Sequence, residues 1–185
     1  MSQLLKFELK KLMHRPRTFL SIGLMLVLVG LIFWGLKSEG ENAMTYVFQS
    51  LGDNFLMQGK ILNGYMVCFL ILNTLWIHIP VLIVIVTADL FCSELETGTI
   101  RLLMTRPISR NRVALAKFFT AVLYVFFFIL IFTSLSLGLA LFLFGSDDLI
   151  VAFNGLQIIP EEDLLWRFFA AFGYAVLAMS TFAIF

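Results

Sequence analysis

The residue types that most often carry chemistry are sparse in this chain of 185 residues. It has two cysteines and two histidines, and each pair is widely separated, at Cys68 and Cys92 and at His14 and His78. No spacing typical of a metal site joins them. The sequence also lacks the H-E-x-x-H, G-x-S-x-G and G-x-x-x-x-G-K-[ST] patterns. We therefore predict no catalytic, cofactor or metal site and no enzyme activity, and if ATP drives this protein, another chain binds the ATP and its Mg²⁺.

The polar stretch 93–117 carries the most information, and it reads SELETGTIRLLMTRPISRNRVALAK. It opens with two carboxylates, Glu94 and Glu96, which directly follow a long apolar run. Gly98 and Thr99 then break the run, and Thr99 is a residue type that caps the start of a new helix. The sequence therefore predicts that one helix ends and another begins here.

The helix that is predicted to begin at Thr99 is short and amphipathic, and it reaches Thr105. Its apolar face consists of Ile100, Leu103 and Met104. Arg101 lies on another side of this helix, and Pro107 ends it because the residue before a proline disfavours helical geometry. Ser109 can cap the helix that follows, whose start carries Arg110, Arg112 and Lys117. A solvated loop whose cations only fix topology is the alternative, but it explains neither the apolar stripe nor the carboxylate pair.

The apolar run before this stretch contains two polar residues that are unusual inside a membrane span. Asn73 and His78 lie within it, and an ionisable residue inside a membrane is a candidate for a functional site. A substrate or relay role is one interpretation, and a hydrogen bond between neighbouring helices is the other. Pro80 lies close by and is expected to kink the helix, because its ring clashes with the carbonyl of Trp76.

The composition decides the class of protein. Hydrophobic residues make up 61% of the chain and charged residues 14%, against about 45–50% and 25% in ordinary soluble domains. Disorder requires the opposite composition. A net charge of +1 lacks the cationic surplus that nucleic-acid binding needs. We therefore predict an all-α integral membrane protein, a polytopic helix bundle in the lipid bilayer that binds no nucleic acid.

Four charge-free runs separate the charged residues, and each is close to or longer than the about 20 residues that cross a membrane. They are 18–36, 61–88, 118–146 and 168–185. The resulting organisation is a single transmembrane domain, 1–185, with segments 1–17 (cytoplasmic elbow helix), 18–36 (span 1), 66–88 (span 2), 89–113 (cytoplasmic loop), 114–144 (span 3), 145–166 (external loop) and 167–185 (span 4).

The cations fix the predicted orientation. Residues 1–17 and 89–117 each hold five Lys or Arg, together ten of the 13 in the chain, so the positive-inside bias places both segments in the cytoplasm. Residues 3–15 form an amphipathic pattern that favours an interfacial helix. A plain extension of the first span is the alternative, and Pro16 favours a break between the two.

Small residues mark the predicted third span. Ser134 and Gly138 lie four residues apart, with Ser136 and Ala140 beside them. Such pairs allow helix backbones to approach closely. We predict that they pack against a neighbouring helix, and a permeation surface is the alternative.

The stretch that begins at Glu94 resembles a known family. Its pattern E-x-E-x-G-T-I-R-x-L-x-T-x-P-I-S-R, followed seven residues later by Lys117, is similar to that of type-2 ATP-binding-cassette (ABC) permeases. The L-x-K-F-E-x-K-K start and the Arg15-Pro16 pair resemble the family's N-terminal elbow helix. The resemblance covers essentially the whole chain.

The resemblance implies that the loop after the second span is a coupling helix that sits in a cleft of a separate ATPase subunit. The implied coupling positions are Glu94, Glu96, Gly98, Thr99, Ile100, Arg101, Leu103, Met104, Pro107, Ser109, Arg110 and Lys117. It further implies six spans, a second permease copy or homologue, two ATPases, export, and a bacterial or archaeal cytoplasmic membrane. Since four spans are present, we expect further spans in the complete protein.

Two functions from different classes fit these observations. The first is the permease subunit of an ATP-driven exporter. The second is a membrane anchor or assembly protein that docks a cytoplasmic partner without moving a substrate. The substrate, and the choice between a homodimer and a heterodimer, do not follow from the sequence.

Overall fold

The computed structural model describes residues 2–49, 62–96, 98, 110–152 and 156–183. In these ranges the chain forms six helices and one two-stranded sheet. The helices are α1 (Ser2–Met13), α2 (Pro16–Gln49), α3 (Gly64–Leu75), α4 (His78–Glu96), α5 (Arg110–Phe144) and α6 (Glu161–Phe182), and the strands are β1 (Leu149–Ala152) and β2 (Leu156–Ile159). The predicted helical membrane protein is confirmed, with the small sheet as an addition.

Within the ranges that the structure describes, three helices are long and apolar enough to span a membrane alone. They cover Pro16–Gly40, Asn111–Phe144 and Glu161–Phe182. The bent pair Gly64–Leu75 and His78–Leu90 makes a fourth span if it is counted as one. Large apolar side chains such as Trp34 and Phe142 are exposed on these helices, as is expected of surfaces that meet lipid.

A two-residue corner, His14 and Arg15, separates α1 from α2. Helix α1 ends at Met13, and α2 begins at Pro16, whose missing N–H is tolerated in a first helical turn. The Thr18 hydroxyl donates to the Leu12 carbonyl across the corner at 2.8 Å, and both residues are buried. The predicted break at this proline is confirmed, and α1 is a helix separate from the first span.

The bend between α3 and α4 lies at the residues where Pro80 is expected to interrupt a continuous helix. The two helices meet at 55° across Trp76 and Ile77. Proline at 80 cannot donate to the carbonyl of Trp76, four residues earlier, and its ring would clash with that group in a continuous helix. The chain therefore restarts at His78 and places the proline in the first turn of α4. The predicted kink is confirmed.

The chain divides into two compact units. The first unit comprises the described residues of Met1–Met25, Ile77–Ile131 and Gly173–Phe185, and the second comprises those of Leu26–Trp76 and Phe132–Phe172. The core of the first unit includes Leu12, Ile83, Val86, Val125 and Phe128. The core of the second includes Phe33, Tyr65, Ile71, Ala140 and Phe172.

In the second unit, the start of α3 packs directly on the end of α5. The Gly64 N–H donates to the Gly145 carbonyl at 2.9 Å. Asn63 caps α3 by accepting from the Met66 N–H at 2.8 Å, and its amide donates to the Asp148 carbonyl at 2.6 Å. Gly145, with φ of +78°, occupies the left-handed region that ends helices.

Residues 145–166, expected as an external loop, contain regular structure. The antiparallel strands pair Leu149 with Ile159 and Ala152 with Leu156. Helix α6 already begins at Glu161, whose N–H donates to the Asp148 carboxylate at 3.0 Å. Three acidic residues in its first turn, Glu161, Glu162 and Asp163, complement the positive helix N-terminus. Hydropathy did not indicate these elements because they depend on caps and strand pairing.

The predicted close packing of small residues on α5 occurs at one pair. Ser136 and Ala140 are completely buried, whereas Ser134 and Gly138 are exposed. A Cβ at Gly64 would lie 2.8 Å from the Ala140 carbonyl oxygen and 2.7 Å from that of Gly145. The two backbones therefore meet closely only because position 64 has no side chain.

We expect Gly64→Ala to destabilise the protein by about 1–3 kcal/mol, since backbone atoms would have to move to accept the methyl group. The measurement is the free energy of unfolding in detergent. Gly138→Ala on α5 is the control, because a Cβ there meets nothing within 4 Å. Equal stability of the two variants would contradict the close contact.

Candidate functional site

Five charged residues meet within the first unit, on or directly beside four helices. They are Glu8, Arg15, Arg17, Asp89 and Lys117, and we call them the charge cluster. Glu8 lies on α1, Asp89 on α4 and Lys117 on α5. Arg15 and Arg17 lie at the corner between α1 and α2. The cluster therefore joins the elbow helix α1 to three helices of the bundle.

Asp89 joins the corner to α4. The Arg15 guanidinium donates through Nη1 to the Asp89 carboxylate at 2.7 Å and to the Asp89 backbone carbonyl at 2.6 Å. The Arg17 guanidinium donates to the other oxygen of the same carboxylate. The Asp89 side chain is only 10% exposed. A carboxylate this buried is stable only when it is paired and hydrogen-bonded, and the two arginines meet that requirement.

Lys117 joins α5 to both α1 and α4. Its ammonium lies 3.6 Å from the Glu8 carboxylate, an ion-pair distance, and donates to the Leu90 carbonyl at 3.1 Å. The side chains of Lys117 and Glu8 are 6% and 4% exposed. Removing one partner from such a buried pair leaves an uncompensated charge. The position of α1 is therefore linked to the Lys117 side chain on α5.

Uncharged hydrogen bonds support the cluster from the side of α2. The Ser21 hydroxyl and the Tyr124 hydroxyl lie 2.8 Å apart, and both residues are buried. Ser21 also donates to the Thr18 carbonyl at 2.9 Å. Since Ser21 follows Arg17 by about one helical turn, this contact holds the start of α2 against α5.

Asp89 and Lys117 lie at equal distances along the chain from the two helix ends that flank residues 97–109. Asp89 precedes the end of α4 at Glu96 by seven residues, and Lys117 follows the start of α5 at Arg110 by seven. At 1.5 Å per residue, each distance is about 10 Å along a helix. About two helical turns therefore connect each end of residues 97–109 to the cluster.

Most of the predicted coupling residues lie outside the described residues. These are Thr99, Ile100, Arg101, Leu103, Met104, Pro107 and Ser109, together with the side chains of Glu94, Glu96 and Arg110. Gly98 is described and has φ of +67°, the left-handed conformation of a glycine that follows a helix. Lys117 is the predicted residue whose side-chain contacts are described.

The predicted intramembrane pair is divided by the bend. The Asn73 amide donates to the Phe69 carbonyl of its own helix at 3.1 Å, and the side chain is exposed. His78 is the first residue of α4 and is also exposed. Among the described residues no hydrogen bond joins His78 to a neighbouring helix, so a role for this residue stays a prediction.

The charge cluster contains four residues that the sequence did not single out: Glu8, Arg15, Arg17 and Asp89. A signal for them exists in the charge pattern. Arg17, Asp89 and Lys117 are the charges that bound three charge-free runs on one predicted side of the membrane. Charges at one depth and of alternating sign are able to pair, and Glu8 is the one acid in a strongly basic segment.

The cluster is suited to holding helices together rather than to acid–base or metal chemistry. Each of its described carboxylates is already paired with a cation. Over the residues that the structure describes, no group of three or more His, Cys, Asp or Glu side chains is placed to hold a metal ion. The arrangement links the positions of the helices that it joins.

The family of this chain follows from a comparison over almost its whole length. The family model of the ABC-2 family transporter proteins matches residues 4–185. The chain belongs to the ABC-2 transporter family. No curated protein and no solved structure matches it. ABC-2 membrane proteins work in the lipid bilayer with a cytoplasmic ATPase, so membership supports a multi-pass permease subunit of an ABC transporter.

For this ABC-2 protein we expect Lys117→Met to lower the free energy of unfolding by about 3–5 kcal/mol, because the buried Glu8 carboxylate loses its cation. The double variant Glu8→Gln/Lys117→Met should lose clearly less free energy of unfolding than the sum of the losses in the two single variants. Chemical unfolding in detergent measures all three variants. Arg112→Gln, at an exposed position on α5, is the control. Additive single effects would show that the pair does not interact.

Proposed function

We propose that this chain is the membrane-spanning subunit of an ABC exporter, which moves a substrate out of the cytoplasm with ATP hydrolysed by a separate subunit. The observation that carries the proposal is the position of the charge cluster. It ties α1 to both helices that flank residues 97–109, the segment whose sequence resembles a coupling helix. In this proposal the chain itself has no enzyme activity, and ATP and Mg²⁺ bind to the partner.

The proposed orientation places the first unit at the cytoplasmic surface. The cation-rich start of the chain and the cation-rich start of α5 both lie in this unit. Their eight Lys and Arg residues satisfy the positive-inside bias when the N-terminus is cytoplasmic. In a bacterium or archaeon, this membrane would be the cytoplasmic membrane.

In the proposed mechanism, closure of the ATPase dimer displaces the coupling segment. Helices α4 and α5 carry this displacement to Asp89 and Lys117, which pass it to α1 and the start of α2 through their ion pairs. A second permease copy or homologue supplies the other half of the pathway. Energy enters because the ATPase binds one arrangement of the segment better than the other.

The coupling contact is tested by crosslinking from Met104→Cys in a background with Cys68 and Cys92 replaced by serine. We expect nucleotide-sensitive crosslinks to a soluble ATPase, because the stripe of Ile100, Leu103 and Met104 fits a groove as amphipathic helices do. Leu103→Asp should weaken the complex at least about tenfold, since it removes an apolar contact of roughly 1.5–3 kcal/mol and buries a charge.

The same experiment tests the orientation and the alternative function. A crosslink to a cytoplasmic protein requires Met104 to be in the cytoplasm. Reaction of Met104→Cys with lipid-phase probes alone, with no protein partner, would contradict the exporter and favour the membrane anchor. Arg112→Cys, on α5 beyond the coupling segment, is the matched control for the reach of the reagent.

A further inference from the structure

Helix α1 exposes one continuous face along its whole length. The exposed positions recur at intervals of three and four residues: Gln3, Lys6, Phe7, Lys10, Met13 and His14. The opposite side holds the buried residues Glu8 and Leu12. The face combines two cations with two large apolar side chains, of which Phe7 is 68% exposed and Met13 is 56% exposed.

Neither carboxylate that the structure describes in the first unit pairs with Lys6 or Lys10. The structure describes two acidic side chains in this unit, Glu8 and Asp89, and both are buried against the cations of the charge cluster. Glu8 is also the one acidic residue of α1. Because the two described carboxylates of this unit lie against other cations, Lys6 and Lys10 on the exposed face of α1 are able to attract anions from outside the protein.

The apolar part of the face indicates which anion this is. Phe7, Lys10, Lys11 and His14 line a shallow depression of about 170 Å³ on the helix surface. A free inorganic anion gains no apolar contact from an exposed phenyl ring. A phospholipid carries a phosphate next to a glycerol–acyl region, so it is able to contact both the cations and the ring. Amphipathic helices with this composition lie in the membrane interface and bind anionic lipids.

The start of α2 keeps this face at the bilayer surface. Only His14 and Arg15 lie between α1 and α2. The large apolar residues Phe19 and Leu20, in the first turns of α2, are 63% and 65% exposed, as lipid-facing residues of a span are. Because α1 is held to the bundle by Glu8 and Arg15, it has no freedom to leave this interface.

We propose that the exposed face of α1 binds anionic phospholipids of the membrane leaflet in which it lies, with Lys6 and Lys10 pairing with the phosphates and Phe7 contacting the glycerol–acyl region. The site is independent of transport, since it would serve an exporter and a membrane anchor equally. The site would make the association of this protein with the membrane depend on anionic lipid.

The test uses the full chain in nanodiscs and compares the association of spin-labelled phosphatidylglycerol with that of spin-labelled phosphatidylcholine. The wild-type protein should prefer phosphatidylglycerol. Lys10→Gln should lower this preference by about twofold to fivefold, the scale of one basic residue at an anionic surface. Lys6→Gln with Lys10→Gln should nearly abolish the preference, as should high salt.

Arg167→Gln is the control, because this exposed cation already lies 3.6 Å from Asp163 within α6. It should leave the lipid preference unchanged. Circular dichroism of each variant establishes that the helices are retained. The proposal is wrong if the wild type shows no preference for phosphatidylglycerol, or if Arg167→Gln lowers this preference as much as Lys10→Gln does. It is also wrong if the lysine variants keep the lipid preference and lose a bound protein instead.

Discussion

The burial of two carboxylates, Glu8 on α1 and Asp89 on α4, is the constraint on which the rest of this structure depends. Glu8 and Asp89 lie where water is scarce, and each requires a cation within reach. Lys117, Arg15 and Arg17 supply those cations from other helices or from the corner. The charges therefore determine which helix ends come together, whereas the apolar residues favour burial without selecting a partner.

Such pairs contribute specificity more than net stability. The cost of removing two charges from water offsets much of their attraction. In a membrane the hydrophobic effect is also a weak guide, because lipid chains are as apolar as the helix surfaces. A cluster of ion pairs and a close glycine contact are thus the features that distinguish one arrangement of these helices from another. Each unit has one of them: the charge cluster in the first, and Gly64 against α5 in the second.

The sequence predicted the features that depend on local patterns. Hydropathy indicated the membrane helices, Pro16 the corner, and Pro80 the bend. The family resemblance of the stretch from Glu94 agrees with the match over residues 4–185. The β-hairpin and the early start of α6 were not predicted, since they depend on the cap from Asp148 and on strand pairing.

The charge cluster was not predicted for a related physical reason. Its residues are separated by up to 109 positions, from Glu8 to Lys117, and a helical wheel of α1 makes Glu8 an exception rather than a buried partner. Lys117 entered the predicted site through the resemblance alone. Pairing charges at the same depth across different spans would have connected Arg17, Asp89 and Lys117 before the structure.

The central claim is that the charge cluster makes α1 and the start of α5 move as one body. Electron–electron double resonance between spin labels at Lys10 and Arg112, in a cysteine-free background, tests it most directly. We expect one narrow distance distribution that is the same with and without a trapped nucleotide on the ATPase. The distribution should broaden when Glu8→Gln and Asp89→Asn are combined. The claim would be contradicted if the two substitutions left the distance distribution unchanged. It would also be contradicted if nucleotide shifted the distribution in the protein that keeps Glu8 and Asp89.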